Sequence, residues 1–145
     1  MKISTKGRYA LRLMIDLAEH KDEGYIPLKD ISKRQEVSKK YLEQIIAIVN
    51  KPDVLRANRG SQGGYKLAKS PSHYTVGDIL RLTEGSLSPV DCVDQDPIEC
   101  PRSADCPTLP IWRNLSKIVN EYLDSVTLQD ILDEQQKRNA DNYVI

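Results

Sequence analysis

Apolar residues along this chain recur mainly three and four positions apart, and one short stretch alternates, so the pattern predicts a mostly helical protein with a single small hairpin. Tyr9, Ala10, Leu13, Met14 and Leu17 mark an amphipathic helix from about Thr5 to His20. Pro27 to Gln35 reads as a short second helix. Ser38, a good N-cap, opens a third in which Leu42, Ile45, Ile46 and Val49 form one buried stripe. Only Glu36 and Val37 separate the two, the layout of a helix-turn-helix. Val54 to Asn58 and Tyr65 to Leu67 can pair as strands around Arg59-Gly60-Ser61-Gln62-Gly63-Gly64, a glycine-rich basic tip suited to a wing. Thr75 to Gly85 predicts one more helix, with Thr75 as N-cap, Asp78 in the first turn and Gly85 just past the end.

From Ser86 to Pro107 the periodicity disappears, and the segment becomes rich in Pro, Asp and Cys. A long helix follows, with Pro107 or Pro110 in or before its first turn. Its residues Ile111, Trp112, Leu115, Ile118, Val119, Tyr122, Leu123 and Val126 form one broad apolar stripe, suited either to a core or to a two-fold helix pair. Ile111, Trp112, Leu115, Ile118, Val119 and Tyr122 are the candidate dimer contacts. Thr127 then caps a short acidic helix holding Leu128, Ile131 and Leu132. From Glu134 onward the polar run predicts a frayed end, and the terminal Tyr143-Val-Ile145 is a candidate for docking back. The fold class expected is mainly α with a small β-hairpin wing, a winged helix-turn-helix followed by a long C-terminal dimerisation helix. The units expected are a DNA-binding domain over 1–85, a cysteine-containing sensor loop over 86–106, and a dimerisation helix with C-terminal helix and tail over 107–145.

A chain of 145 residues supports an independent core without staples. No stretch reaches the roughly 18 apolar residues of a membrane span, and Met1-Lys-Ile-Ser-Thr-Lys-Gly7 lacks an apolar signal segment, so a cytoplasmic location without membrane association is expected. Net charge is zero, which alone argues against a nucleic-acid binder, yet the halves differ sharply. Residues 1–70 carry 15 Lys or Arg against 8 Asp or Glu, a balance of +7, while residues 71–145 carry 6 against 13, a balance of −7. The basic half is the half with the helix-turn-helix and wing, where a phosphate backbone needs it.

A helix entering a major groove needs short polar residues at its start and an apolar rear face. Ser38, Lys39, Lys40, Tyr41, Glu43 and Gln44 meet that need on the third helix. Arg59, Gly60, Ser61 and Gln62 at the hairpin tip can reach a minor groove or clamp a phosphate. Lys2, Ser4, Lys6 and Arg8 at the start of the first helix add candidate phosphate contacts. The glycine spacing of the tip matches neither a phosphate-cradling nucleotide loop nor a dinucleotide fingerprint.

All three cysteines, Cys92, Cys100 and Cys106, lie in the aperiodic segment. Packing is an inadequate explanation for that clustering, and a structural disulfide would leave one thiol over in a reducing compartment. The C-x7-C-x5-C spacing is not a zinc-knuckle pattern. A zinc or iron-sulfur site, redox-active thiols and inert thiols all remain open on these residues. An enzyme is disfavoured: there is no paired-carboxylate or nucleophile-base constellation and no C-x-x-C motif.

The opening Met1-Lys-Ile-Ser-Thr-Lys-Gly-Arg-Tyr-Ala10, Leu28-Lys-Asp-Ile-Ser32, Ser38 with Tyr41-Leu-Glu-Gln44, Arg59-Gly60 with Gly63-Gly-Tyr65, Val76-Gly-Asp-Ile79 and Thr127-Leu128 together carry a resemblance. Along nearly its full length the chain resembles the IscR, CymR and NsrR group of winged helix-turn-helix transcriptional regulators. The resemblance implies a homodimer whose recognition helices and wings bind a pseudo-palindromic double-stranded DNA operator, as a repressor, with Ser38, Tyr41, Glu43, Gln44 and Arg59 as contacts. It also implies a 2Fe-2S cluster on Cys92, Cys100 and Cys106, reporting iron-sulfur, redox or nitric oxide status. Two departures stand out: the first cysteine interval is two residues longer than in the best-known IscR pattern, and Leu109 occupies the place of the histidine expected after the last cysteine. Neither His20 nor His73 has the sequence position to replace it; Glu99, Asp105, a residue of a second subunit or an exogenous thiol stay open as fourth ligand. Members resembling CymR lack the trio and act in cysteine metabolism through a regulatory protein partner, which is the alternative reading.

Overall fold

Most helices of this protein begin where the sequence supplies a cap. The computed structural model describes residues 1–142, in which six α-helices and one two-stranded hairpin follow in the order α1 (Thr5–Glu19), α2 (Leu28–Gln35), α3 (Lys39–Val49), β1 (Leu55–Asn58), β2 (Gly64–Leu67), α4 (Val76–Glu84), α5 (Leu109–Ser125) and α6 (Leu128–Asn142). Ser4 caps α1 by accepting the Gly7 N–H at 3.0 Å, and Ser38 caps α3 by accepting the Tyr41 N–H at 3.1 Å. Thr75 and Asp78 form a reciprocal capping box on α4, with the Thr75 hydroxyl accepting from Asp78 N–H at 3.0 Å and the Asp78 carboxylate accepting from Thr75 N–H at 3.1 Å. Thr127 and Asp130 repeat the box on α6, at 3.0 and 2.9 Å.

These two boxes stand against each other. The Val76 N–H donates to the Val126 carbonyl at 2.8 Å, and the Leu128 N–H donates to the Tyr74 carbonyl at 3.0 Å. The starts of α4 and α6 are thus joined by a short antiparallel bridge between Thr75 and Thr127. Leu128 is fully buried in the same cluster as Leu13, Leu17, Ile31, Leu42, Ile45 and Ile79. The C-terminal helix therefore completes the core of the helix-turn-helix unit. A second, smaller cluster of Val76, Leu80 and Leu87 receives Leu123 and Val126 from the end of α5.

β1 and β2 pair antiparallel, with Leu55 opposite Leu67, Arg56 opposite Lys66, Ala57 opposite Tyr65 and Asn58 opposite Gly64. Ile26 adds a short third rung, exchanging backbone hydrogen bonds with Tyr65 at 2.8 and 2.9 Å. The alternation in 54–67 was too brief to predict that rung. Gly64 permits it, since a Cβ there would collide with the Ile26 backbone.

The frayed end expected from Glu134 is instead the continuation of α6 to Asn142. Gln, Glu, Lys, Arg and Ala dominate that stretch, all good helix formers. An i,i+4 pair of Glu134 with Arg138 at 3.5 Å supports it further. The docking expected of Tyr143-Val-Ile145 lies outside the described residues. Among the described residues no helix is long and apolar enough to cross a membrane.

Candidate functional site

Helices α2 and α3 meet through a turn in which Glu36 adopts φ +55°, the left-handed conformation that ends α2 sharply. Leu42, Ile45, Ile46 and Val49 fix the rear of α3 in the core, and Lys39, Lys40, Glu43 and Gln44 are left exposed on its outer side. Ser38 uses its oxygen to accept the Tyr41 amide, which leaves the hydroxyl proton free to donate outward. Tyr41 is half-buried, its ring edge-on to Tyr9 of α1 at 5.8 Å. The wing folds back toward α3, so that Lys29, Lys39, Glu43, Asn58, Gly60 and Ser61 line one groove between the two. Arg59, Gly60, Ser61 and Gln62 are all exposed at the tip, where Gly60 takes φ +109°. Lys29, in the first turn of α2, and Asn58, at the end of β1, escaped the sequence reading, because only the folded arrangement brings them beside α3.

At the start of α1, Lys2 and Arg8 are exposed and Lys6 is half-exposed. Ser4 is committed internally. Its amide donates to Glu84 Oε1 at 3.1 Å, its hydroxyl donates to the same oxygen, and it also caps Gly7. Arg8 donates to the Thr5 hydroxyl at 3.1 Å.

A polar network behind the helix-turn-helix was also not foreseen. Asp16, nearly fully buried on α1, accepts from Arg34 Nε at 3.0 Å, from Arg34 Nη2 at 2.7 Å and from Gln35 Nε2 at 2.9 Å. Arg12 donates to the Gln35 side chain at 3.1 Å and backbone carbonyl at 2.6 Å, while stacking on Tyr9 at 4.8 Å. The end of α2 is thereby pinned to α1 by charge-assisted bonds. The available signal was an aspartate in the apolar face between Leu13 and Leu17.

α5 divides its apolar stripe between two tasks. Leu109 is buried and Leu123 half-buried against this chain, and Trp112 and Val119 are half-buried. Ile111, Leu115, Ile118 and Tyr122, spaced four, three and four apart, face solvent; Ile118 and Tyr122 are 63% and 65% exposed. At its C-terminal end α5 is clamped to α4: Arg81 donates to both oxygens of Asp124 at 2.7 and 2.9 Å and to Asn120 at 2.8 Å. The Arg81 hydrogen bond holds the Asp124 carboxyl below the usual carboxylate range.

Cys92 and Cys100 are exposed and Cys106 is half-exposed, all as free thiols. Among the described residues no three His, Cys, Asp or Glu side chains converge as a ligand group, so the loop does not gather the trio. Their donor chemistry, three unpaired thiols within one loop, fits a soft metal or an iron-sulfur cluster. Cys106 lies just before α5, with its sulfur 3.4 Å from the Thr108 hydroxyl. That contact, with the Thr108 and Leu109 backbone amides and Arg102, lowers its thiol pKa against a smaller opposing effect of burial.

Comparison with known proteins agrees with this geometry. A family profile described as "Rrf2: Iron-dependent Transcriptional regulator" matches residues 3–134. The chain is 37% identical over 132 residues to protein rrf2 of Nitratidesulfovibrio vulgaris, covering 91% of this chain and 87% of that one. The solved structure of CymR, the global cysteine regulator of B. subtilis, superposes with a TM-score of 0.74 at 38% identity, covering 92% of this chain and 98% of that one. The structure of T. potens IscR superposes with a TM-score of 0.75 at 40% identity, covering 95% and 90%.

Proposed function

This chain belongs to the Rrf2 family of transcriptional regulators, DNA-binding proteins rather than enzymes, and from that premise we propose that it binds a two-fold operator as a homodimer and represses from it according to the state of its cysteine loop. The observation that carries the DNA reading is the groove shared by α3 and the wing, lined by Lys39, Glu43, Asn58, Gly60 and Ser61. Ser38, Lys39, Lys40, Tyr41, Glu43 and Gln44 would meet the major groove and its phosphates. Arg59 with Gly60, Ser61 and Gln62 would meet the adjacent minor groove, and Lys2, Lys6 and Arg8 the backbone. Glu43 suits a cytosine amino group, since a carboxylate accepts there and is repelled by phosphate. Ser4 contributes by fixing the start of α1, its hydroxyl being engaged by Glu84.

The exposed stripe of Ile111, Leu115, Ile118 and Tyr122 supports dimerisation through α5, with Trp112 and Val119 at its flank. A second copy laid along it would set the separation of the two recognition helices. In the sensing step Cys92, Cys100 and Cys106 would hold a 2Fe-2S cluster, which when bound supplies a one-electron couple and sensitivity to oxidants and nitric oxide. Any change at Cys106 bears directly on α5, because its sulfur already contacts Thr108 at the start of that helix.

A second reading, thiol or partner-protein control without a cluster, is equally consistent, since the chain fits CymR as well as it fits IscR. Iron and acid-labile sulfide assays with visible spectra on anaerobically prepared protein and on Cys92→Ala separate the two. Equal iron and sulfide with cysteine-dependent bands supports the cluster. Colourless, iron-free protein that still binds DNA supports the second reading. Operator affinity that is the same in every redox state and after substitution of all three cysteines would sink both the cluster and the thiol control, leaving a partner protein as the regulator.

A further inference from the structure

The wing carries two cations directly opposite each other. Arg56 on β1 and Lys66 on β2 are in-register partners, on the face of the hairpin away from Leu55 and Leu67. Like charges at opposed positions of an antiparallel pair repel. A carboxylate commonly offsets such a pair, but among the described residues neither side chain forms an ion pair. The sequence supplies none nearby: between Asp53 and Asp78 there are four Lys or Arg and no Asp or Glu. Lys66 is instead held over the Tyr25 ring, 4.6 Å from its centroid, a contact that fixes the ammonium without cancelling its charge. Asn58, two residues beyond Arg56 on the same face, borders the groove that also contains Lys39 and Glu43. This face is therefore continuous with the proposed DNA groove.

We propose that Arg56 and Lys66 form a two-cation seat for one backbone phosphate of the bound duplex, on the outer face of the wing and separate from the Arg59 tip. The inference rests on the reading that α3 and the wing bind DNA. A phosphodiester brings the negative charge that the hairpin lacks, and two cations held by the strand register meet it without further ordering. Because the contact is to a phosphate, it adds affinity without sequence preference.

The test is equilibrium binding of the full-length protein to operator and to an unrelated duplex across a salt series, for wild type, Arg56→Ala, Lys66→Ala, the double variant, Arg56→Lys and Arg59→Ala. Loss of the seat lowers the salt slope by about 0.9 for each phosphate contact, about 1.8 for a two-fold complex. The two duplexes are expected to weaken by the same factor. The double variant is expected to lose little more than either single variant, since both side chains hold one phosphate, and Arg56→Lys is expected to keep the slope. The melting temperature is expected to hold or rise as the like-charge repulsion is relieved, which separates the effect from misfolding. Folded alanine variants with an unchanged slope, beside an Arg59→Ala variant that loses affinity, overturn the seat alone. Wild-type protein that binds no duplex overturns the DNA reading and the seat together.

Discussion

Leu128→Ala tests whether the last helix belongs to the core of the DNA-binding unit. Leu128 lies 83 positions or more beyond Leu13, Leu17, Leu42 and Ile45 in sequence, yet it is fully buried among them. Truncation removes about three carbons, worth roughly 2.4 kcal/mol in transfer at about 0.8 kcal/mol per group. The cavity left in a packed core raises the total to about 3–5 kcal/mol. With a urea slope of about 1.5–2 kcal/mol/M, the midpoint falls by about 1.5–3 M. Circular dichroism and near-ultraviolet signals, followed at one fixed protein concentration because association shifts the midpoint, are expected to move together in a single transition. A separate early transition of α6, with the main midpoint displaced by less than about 0.5 M, would refute the shared core.

Glu36→Gly is expected to stabilise the protein by about 0.5–1 kcal/mol, since an L-residue pays about 1–2 kcal/mol in the left-handed region and glycine returns part of that as unfolded-chain entropy; Glu36 sits there at φ +55°, and a lower urea midpoint would contradict the strain. Asp124→Asn tests the clamp on α4: because Arg81 depresses the folded pKa of Asp124, the contribution is present above the ordinary carboxyl value of about 3.9 and is lost as pH falls through the folded one. The melting-temperature gap between wild type and Asp124→Asn is therefore expected at pH 7 and is expected to close in strong acid, whereas a constant gap excludes the ionic contribution. Cys106 is expected to be the first thiol alkylated by iodoacetamide near neutral pH, and Thr108→Val to slow it, because the Thr108 contact is the leading cause of its lowered pKa; peptide mapping reads both, and unaltered labelling in Thr108→Val rejects the assignment.

Elements with a repeated local signal were legible from residues alone. The stripe of Leu42, Ile45, Ile46 and Val49, the Ser38 cap and the Thr75–Asp78 box all stand where spacing and capping chemistry put them. α6 beyond Glu134 was not legible, since a polar run without an apolar stripe gives the same pattern for a solvated helix and for a frayed tail. The division of the α5 stripe was equally hidden: period alone cannot tell Leu123, which faces its own chain, from Ile118, which faces solvent. The network of Asp16, Arg34, Gln35 and Arg12 depends on contacts between helices, and no local pattern encodes the pairing of Asp16 with a residue eighteen positions away. The cysteine cluster was visible as composition, but its spacing carried no fold, and among the described residues the three thiols do not converge as one ligand group.

The back-to-back capping boxes at Thr75 and Thr127 bear on how this protein can vary. The chain leaves the core at the end of α4 and returns along α5, whose far end is fastened to α4 by Arg81 and Asp124 and to the Tyr74–Val76 segment by the Val126 and Leu128 hydrogen bonds. Leu87 still belongs to the buried cluster with Val76 and Leu80, but both anchorages bypass residues 88–106. Insertions or deletions there leave every core contact of Leu128, Ile79 and Leu13 in place. Cysteine number and spacing can thus drift, be lost or be rebuilt without destabilising the DNA-binding scaffold, so that one framework can serve descendants that answer to different signals.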